Sequence, residues 1–147
     1  DKNNILSIQN IQKDCEELVW EASSLFHLLD KGGGYGYLAK QSRNIIGYIL
    51  LRSLNYEEEL LSLGVLKSNR RNGVAKRLFC EAERDFIKKN THRIFLEVRV
   101  ENNAAICFYK FIGFKKIKVL KNYYRADIGH EDGLLFSKVY FDDYKLS

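Results

Sequence analysis

Residues 59–100 constrain the fold most: a strand, a long helix and a second strand follow one another there without a linker. "ELLSLGV" (residues 59–65) is short, apolar and rich in branched side chains, as a buried strand is. A helix is predicted over residues 73–89, because Val74, Leu78, Ala82 and Phe86 recur at four-residue spacing, and Lys88 and Lys89 suit the negative end of its dipole. In "RIFLEVRV" (residues 93–100), Ile94, Leu96, Val98 and Val100 alternate with Phe95, Glu97 and Arg99, which gives a strand with two different faces.

The rest of the chain extends this pattern. A strand is predicted at residues 4–8 ("NILSI"), one helix or two over residues 13–29 with Leu18, Ala22 and Leu25 on the apolar face, and a break at "KGGGYG". "YLAKQ", the turn "SRN" and "IIGYILLRSL" read as a hairpin. After the central unit come a short helix at residues 103–111, a strand "KKIKVL", a loop over residues 123–130 and a last strand over residues 134–140. This is an α/β or α+β chain: a central sheet with helices on both faces. At 147 residues, 46% of them hydrophobic, it is long enough to enclose a core and is expected to form one domain over residues 1–147.

Charge is concentrated where the first strand of the central unit meets its helix. Lys67, Arg70, Arg71, Lys76 and Arg77 supply a surplus equal to the whole net charge of +5, and no acid lies among them. Lys76 and Arg77 fall in the first helical turn, where the dipole is already positive and acids are favoured. A bound anion would remove the conflict, and a strand-to-helix turn with a glycine is where backbone N–H groups hold phosphates. The stretch contains neither GxGxxG nor GK[ST], so dinucleotide and P-loop nucleotide sites are not indicated. A general nucleic-acid surface would spread its cations and interleave aromatics, so no direct nucleic-acid contact is expected. Cys15, Cys80 and Cys107 are scattered and odd in number, as are His27, His92 and His130, so neither a disulfide framework nor a metal site is expected. With no apolar run of transmembrane length and no signal-peptide pattern, a cytoplasmic, membrane-free protein is the simplest expectation.

Three separated motifs then carry a resemblance. Val65, Arg70, Arg71, Asn72, Gly73, Val74 and Ala75 lie in a stretch that resembles the pyrophosphate-binding motif of the GCN5-related N-acetyltransferases (GNAT): Arg or Gln, two residues, Gly, one residue, then Gly or Ala. "LEVRVENNAAICFYKFIGF" (residues 96–114) resembles the second half of that family's signature. "KNYYRADIGHEDGLLF" (residues 121–136) is similar to its bacterial ribosomal-protein alanine N-acetyltransferase branch. Asn103, Phe108 and Arg125 depart from that branch, and Arg125 stands where proline is common in the peptide-binding segment. The resemblance implies a mixed sheet of about six or seven strands, in which two parallel strands, residues 61–65 and 93–98, splay apart around acetyl-CoA. It implies that Leu63 and Val65 offer backbone to the pantetheine arm, that the N–H groups from Arg71 to Ala75 hold the pyrophosphate with help from Arg70, and that Asn102 bonds the arm. Asn102 also suits a helix N-cap.

For catalysis the resemblance implies Glu97 as base and Tyr109 as acid. A phenol of pKa ~10 is expected to protonate a thiolate whose conjugate acid lies near ~8.5. Glu97, ordinarily near ~4.3, needs burial or a relaying water to serve an ammonium. Read without the resemblance, Glu97 pairs with Arg99 two residues along its strand, and Tyr109 is a core aromatic above Ile106. A backbone N–H near Leu63 to Val65 is the expected oxyanion donor. Tyr123 and Tyr124 are candidates to wall the acceptor site, and Glu131 and Asp132 to attract a positive terminus or to cap the turn into the last strand. The implied acceptor is the N-terminal peptide of a ribosomal protein, most specifically alanine-first small-subunit protein eighteen. The alternatives are a small-molecule amine as acceptor, a non-catalytic acyl-CoA-binding module, and an RNA-binding protein using the basic loop.

Overall fold

The computed structural model describes residues 1–125 and 129–141. Helix α1 (Lys2–Asp14) begins at Asp1, whose side chain accepts from the Asn4 N–H. The strand expected at residues 4–8 is therefore corrected to helix. Ile5, Ile8 and Ile11 recur at helical spacing over thirteen residues and all three are buried, a period that a five-residue window does not reveal. The helix or helices expected over residues 13–29 resolve into the end of α1, a loop over residues 15–21 and α2 (Ala22–Asp30).

Strands β1 (Gly34–Gln41) and β2 (Asn44–Leu54) form the expected hairpin, with Gln41 opposite Asn44 across Ser42 and Arg43. A second tight turn leads into β3 (Glu57–Val65), with Leu54 opposite Glu57. Then follow α3 (Val74–Lys88), β4 (Arg93–Arg99), α4 (Asn103–Phe111), β5 (Lys115–Arg125) and β6 (His130–Val139). Among the described residues the sheet has six strands in the order β1-β2-β3-β4-β6-β5. The loop expected over residues 123–130 is corrected in part: Tyr123, Tyr124 and Arg125 belong to β5 and His130 to β6, while residues 126–128 lie outside the described residues. The last strand accordingly starts at His130 rather than at residue 134.

The sheet is covered on both faces. Ile49 and Leu51 of β2 point into one core with Leu78, Phe79, Ala82 and Phe86 of α3 and Tyr109 of α4. Tyr48 and Leu50, the alternate positions, point into a second core with Ile5, Ile8, Ile11 and Leu25 of α1 and α2. That two-sided burial is why β2 reads as a continuous apolar run. Truncating Phe79 or Phe86, both almost wholly buried, to alanine costs about 3–5 kcal/mol by the usual cavity argument. Among the described residues no helix is long and apolar enough to cross a membrane.

One departure from regularity positions the site. β3 and β4 pair in parallel only at Glu57–Arg93, Glu58–Ile94 and Glu59–Phe95. β3 continues six residues further, paired with β2 alone as far as Val65 opposite Gly47, and β4 continues to Arg99 paired with β6 alone. The split begins at a bulge. Leu50 faces Ser62 and Leu51 faces Leu60, so Leu61 is an extra residue in β3, and such an insertion bends a strand. Below the split a buried knot fastens the closed end: Glu58 accepts from the Tyr35 hydroxyl at 2.8 Å, from Ser53 at 3.0 Å and from Lys89 at 3.1 Å.

Candidate active site

Beyond Glu59 the edge of β3 that faces β4 makes no backbone ladder, and Leu63 and Val65 line a groove of about 330 Å³, with the Val65 carbonyl taken by the Arg70 Nε and the Cys15 thiol. Leu63, Val65, Arg70, Ala75, Asn102 and Tyr109 are among the residues that line it. A second hollow of about 280 Å³ shares Val65, Arg70 and Ala75 and runs on past Arg71, Gly73 and Val74 to Lys76. The cofactor residues expected from sequence thus come together, apart from Asn72, which lines neither hollow.

The turn into α3 leaves its backbone donors without a side-chain cap. Gly73 is the N-cap in a left-handed conformation (φ 76°), no side chain caps the helix, and its first turn holds no acid. The leading N–H groups of α3 have no intrahelical partner, as at any helix start. A side chain built on Gly73 would meet nothing within 4 Å, so the approach to those N–H groups is clear. Arg71 is also left-handed (φ 66°), and the Arg70 Nε donates to the Val65 carbonyl at 3.4 Å, so this guanidinium is held at the junction of groove and turn. The residues present fit a pyrophosphate followed by an extended amide-bearing arm. Asn102 performs its structural role, capping α4 by accepting from the Ala105 N–H at 3.2 Å, while also lining the groove.

Tyr109 is buried by ring packing against Phe108 and Phe114, and it lines the groove. Burial, reinforced by the charges of Tyr48 and Glu17, pushes its pKa well above the ordinary phenol value. This corrects the expected direction of proton transfer. A phenol at ~10 is already a weaker acid than a thiol at ~8.5, and burial widens that gap. Tyr109 is therefore suited to hold its proton and donate a hydrogen bond to a developing thiolate, not to surrender the proton.

Glu97 stands exposed on β4 and accepts from the Tyr123 hydroxyl at 2.5 Å. That bond, followed by partial burial and the Glu97 charge, raises Tyr123 to about 12. Tyr124 packs edge-on against Tyr123 at 5.0 Å, and the Arg99 guanidinium lies over its ring at 4.7 Å. Glu131 accepts from Arg99 at 3.0 Å and from the Glu101 N–H at 3.3 Å. Asp132 accepts from the Asn122 N–H at 2.8 Å and from Lys121 at 3.3 Å, contacts that hold its carboxyl below the usual range. Both acids lie within β6, where Glu131 ties it to Arg99 of β4 and to Glu101, and Asp132 ties it to Lys121 and Asn122 of β5.

Sequence reasoning missed the 15–21 loop, which brings Cys15 and Glu17 to the groove wall beside Tyr109. The apolar spacing of Leu18, Ala22 and Leu25 hid it, and the structure corrects that face: Leu18 stands 79% exposed in the loop. A larger hollow, about 690 Å³ between α1 and α2, is lined by none of the site residues expected from sequence.

Comparison with known proteins agrees with this geometry. Residues 5–114 match the acetyltransferase (GNAT) family. An N-alpha-acetyltransferase of Saccharolobus solfataricus is 37% identical over 126 residues, spanning 76% of this chain and 72% of that protein. The ribosomal protein bS18-alanine N-acetyltransferase of Escherichia coli is 26% identical over 97 residues, 66% of each chain. The crystal structure of the Escherichia coli ribosomal-protein-S18-alanine N-acetyltransferase superposes with a TM-score of 0.86 at 19% identity, covering 97% of this chain and 93% of that one.

Proposed function

The chain belongs to the acetyltransferase (GNAT) family, and from that premise we propose that it transfers the acetyl group of acetyl-CoA to the α-amine of a protein N-terminus, with an alanine-first ribosomal protein of the bS18 kind as the acceptor. The observation that carries the reading is the open edge of β3, which runs from the last β4 pairing at Glu59 to the uncapped start of α3 at Gly73 and has Tyr109 across the groove. Similarity to proteins named for α-amine acetylation supports the acceptor class.

Acetyl-CoA supplies the activated acyl group as a thioester. The chain's residues then have four tasks. The N–H groups of Val74 and Ala75, with Arg70 and Arg71 beside them, bind the pyrophosphate, and the β3 edge at Leu63 and Val65 orients the arm. A β3 N–H near Leu63 steadies the carbonyl oxygen as the amine adds to the carbon. Glu97, accessible to water, receives the ammonium proton through a relay as the C–N bond forms. The Tyr109 hydroxyl donates a hydrogen bond to the sulfur as the C–S bond breaks. An α-amine near ~7.7–8.0 needs far less help to be neutral than a lysine near ~10.4, which suits an exposed carboxylate base.

The test is incubation with acetyl-CoA and peptides that differ only in the first residue, read by mass. Alanine-first peptides should gain one acetyl group on the α-amine, and the same peptides blocked at the terminus should not react at an internal lysine. Modification of the blocked peptide, or of small polyamines with no peptide product, would overturn the acceptor assignment.

A further inference from the structure

Gln12 sits where an apolar side chain would be expected. It follows Ile5, Ile8 and Ile11 on the buried stripe of α1, is only 1% exposed, and is surrounded by the core of Ile11, Leu25, Tyr48 and Leu50. Burying a carboxamide is unfavourable unless its donors and acceptors are met, and here one is met poorly: no well-aligned hydrogen bond reaches Nε2, and the Tyr48 hydroxyl is the polar group beside the amide. Core stability alone does not account for a glutamine at this place. Its other arm shows what it does. Oε1 accepts from the Trp20 backbone N–H at 2.8 Å, and one turn earlier on α1 the Gln9 Nε2 donates to the Trp20 backbone carbonyl at 3.0 Å.

The two glutamines thus grip both peptide groups of Trp20 as a neighbouring strand would, three residues apart on one helical face. The Gln12 backbone carbonyl adds a third tie, accepting from the Glu17 N–H at 3.0 Å. Between these anchors Leu18 and Val19 project outward, 79% and 41% exposed. One side of the held loop, at Cys15 and Glu17, walls the groove that contains Tyr109. The other side, at Trp20, walls a separate hollow with Ser23, Ser24, His27 and Arg52. We infer that Gln12, supported by Gln9, is a positioning residue for the acetyl transfer: it fixes the 15–21 loop at the height from which Glu17, Leu18 and Val19 meet the acceptor. This deepens the proposed function and rests on it for the identity of the acceptor, but the clamp itself does not.

Trp20 is the chain's one tryptophan, so its fluorescence reports the clamp without any activity measurement. In Gln12→Met the loop should loosen and acrylamide should quench Trp20 more strongly. The acceptor KM should rise about two- to tenfold, the range that one hydrogen bond of ordinary net strength represents. The acetyl-CoA KM should change less than the acceptor KM, since only Cys15 and Glu17 of the loop wall its groove, and the Tm should stay near the wild-type value because the substitution also removes a poorly bonded buried amide. Gln12→Glu keeps an oxygen for the Trp20 N–H, so quenching and acceptor KM should stay near wild type while the buried carboxyl lowers the Tm. If Gln12→Met does not fold, Gln9→Met, at a partly exposed position, carries the same expectations. Unchanged quenching would overturn the clamp, and increased quenching with an unchanged acceptor KM would overturn its role in the reaction. A lowered Tm with both KM values raised together would mark Gln12 as ordinary core. Wild-type protein that acetylates none of the peptides, with the quenching changes as expected, would overturn the acceptor assignment while leaving the clamp standing.

Discussion

The Tyr123 hydroxyl donates to the Glu97 carboxylate across an intervening strand: Tyr123 belongs to β5 and Glu97 to β4, and β6 lies between them. The bond joins an acceptor-side aromatic to the candidate base, so the two cannot be altered independently. Because the neutral phenol is the form that donates, its pKa is raised to about 12. Its contribution to stability is therefore complete below the unfolded value of ~10 and is lost as pH rises through the folded one. The side chain is half exposed, so that contribution is small. In a spectrophotometric titration, subtracting Tyr123→Phe from wild type should isolate one tyrosine ionising near 12. Glu97→Ala should return that tyrosine toward ~10. A Tyr123 signal near its ordinary value in the wild type would refute the bond.

Chemistry and binding should separate at Tyr109 and Glu97. Tyr109→Phe keeps the ring packing, so acetyl-CoA affinity and Tm should hold while turnover drops ~10²-fold, the scale of losing one aligned donor. Glu97→Gln still accepts from Tyr123 and should slow the reaction most at low pH. The loss should shrink as pH passes the α-amine's own ~8, where neutral nucleophile becomes plentiful. Wild-type turnover in Tyr109→Phe would return Tyr109 to a structural role, and a pH-independent loss in Glu97→Gln with a lowered Tm would return Glu97 to one.

At Gly73 conformation and space make separate demands. At φ 76° a β-branched residue is strained by roughly 1–2 kcal/mol even though nothing crowds its Cβ, so Gly73→Val should lower the unliganded Tm. Asparagine tolerates this conformation, so Gly73→Asn should leave the unliganded Tm nearly unchanged while its side chain fills the approach to the helix N–H groups. In the wild type, acetyl-CoA at ~100-fold above Kd should stabilise the fold by ~2.7 kcal/mol. A full ligand shift in Gly73→Asn would mean that the pyrophosphate binds elsewhere.

The central unit was legible because its signals are local. The α3 stripe, the alternation of β4 and the acid-free first turn of α3 are all properties of neighbouring residues, and α4 falls on residues 103–111 as its sequence suggests. The split between β3 and β4 was not legible from the residues themselves and entered only through the family resemblance. It depends on Leu61 being one residue too many against β2, and "ELLSLGV" looks the same whether its edge is paired or open. The Gln9–Trp20–Gln12 clamp was hidden for the same reason, since it satisfies backbone groups of a loop that has no pattern of its own. Tyr123 and Tyr124 read as loop because Asn122 is left-handed (φ 51°) and the β5 register shifts between Leu120 and Tyr124, irregularities that interrupt strand alternation.

The acceptor wall we propose for those two tyrosines depends on the absence of a side chain at Gly133. This residue lies opposite Arg99 on β4 and Leu120 on β5, and a Cβ there would come within 2.8 Å of the Tyr124 ring and 3.4 Å of the Tyr123 ring. Its backbone is not left-handed, so Gly133→Ala introduces crowding without conformational strain, and rings, unlike flexible chain ends, must move as a body. We expect a loss of about 1–3 kcal/mol in stability from overpacking. The acceptor KM should rise through displaced rings, while the acetyl-CoA KM is unchanged because Gly133 lines neither hollow of the cofactor groove. Adding Tyr124→Ala removes the colliding ring, so the double variant should be more stable than the sum of the two single losses predicts, as contacting residues are when coupled. It should not recover the acceptor KM, because the wall itself is then gone. Gly133→Ala with a wild-type acceptor KM would show that Tyr123 and Tyr124 stand outside the acceptor path.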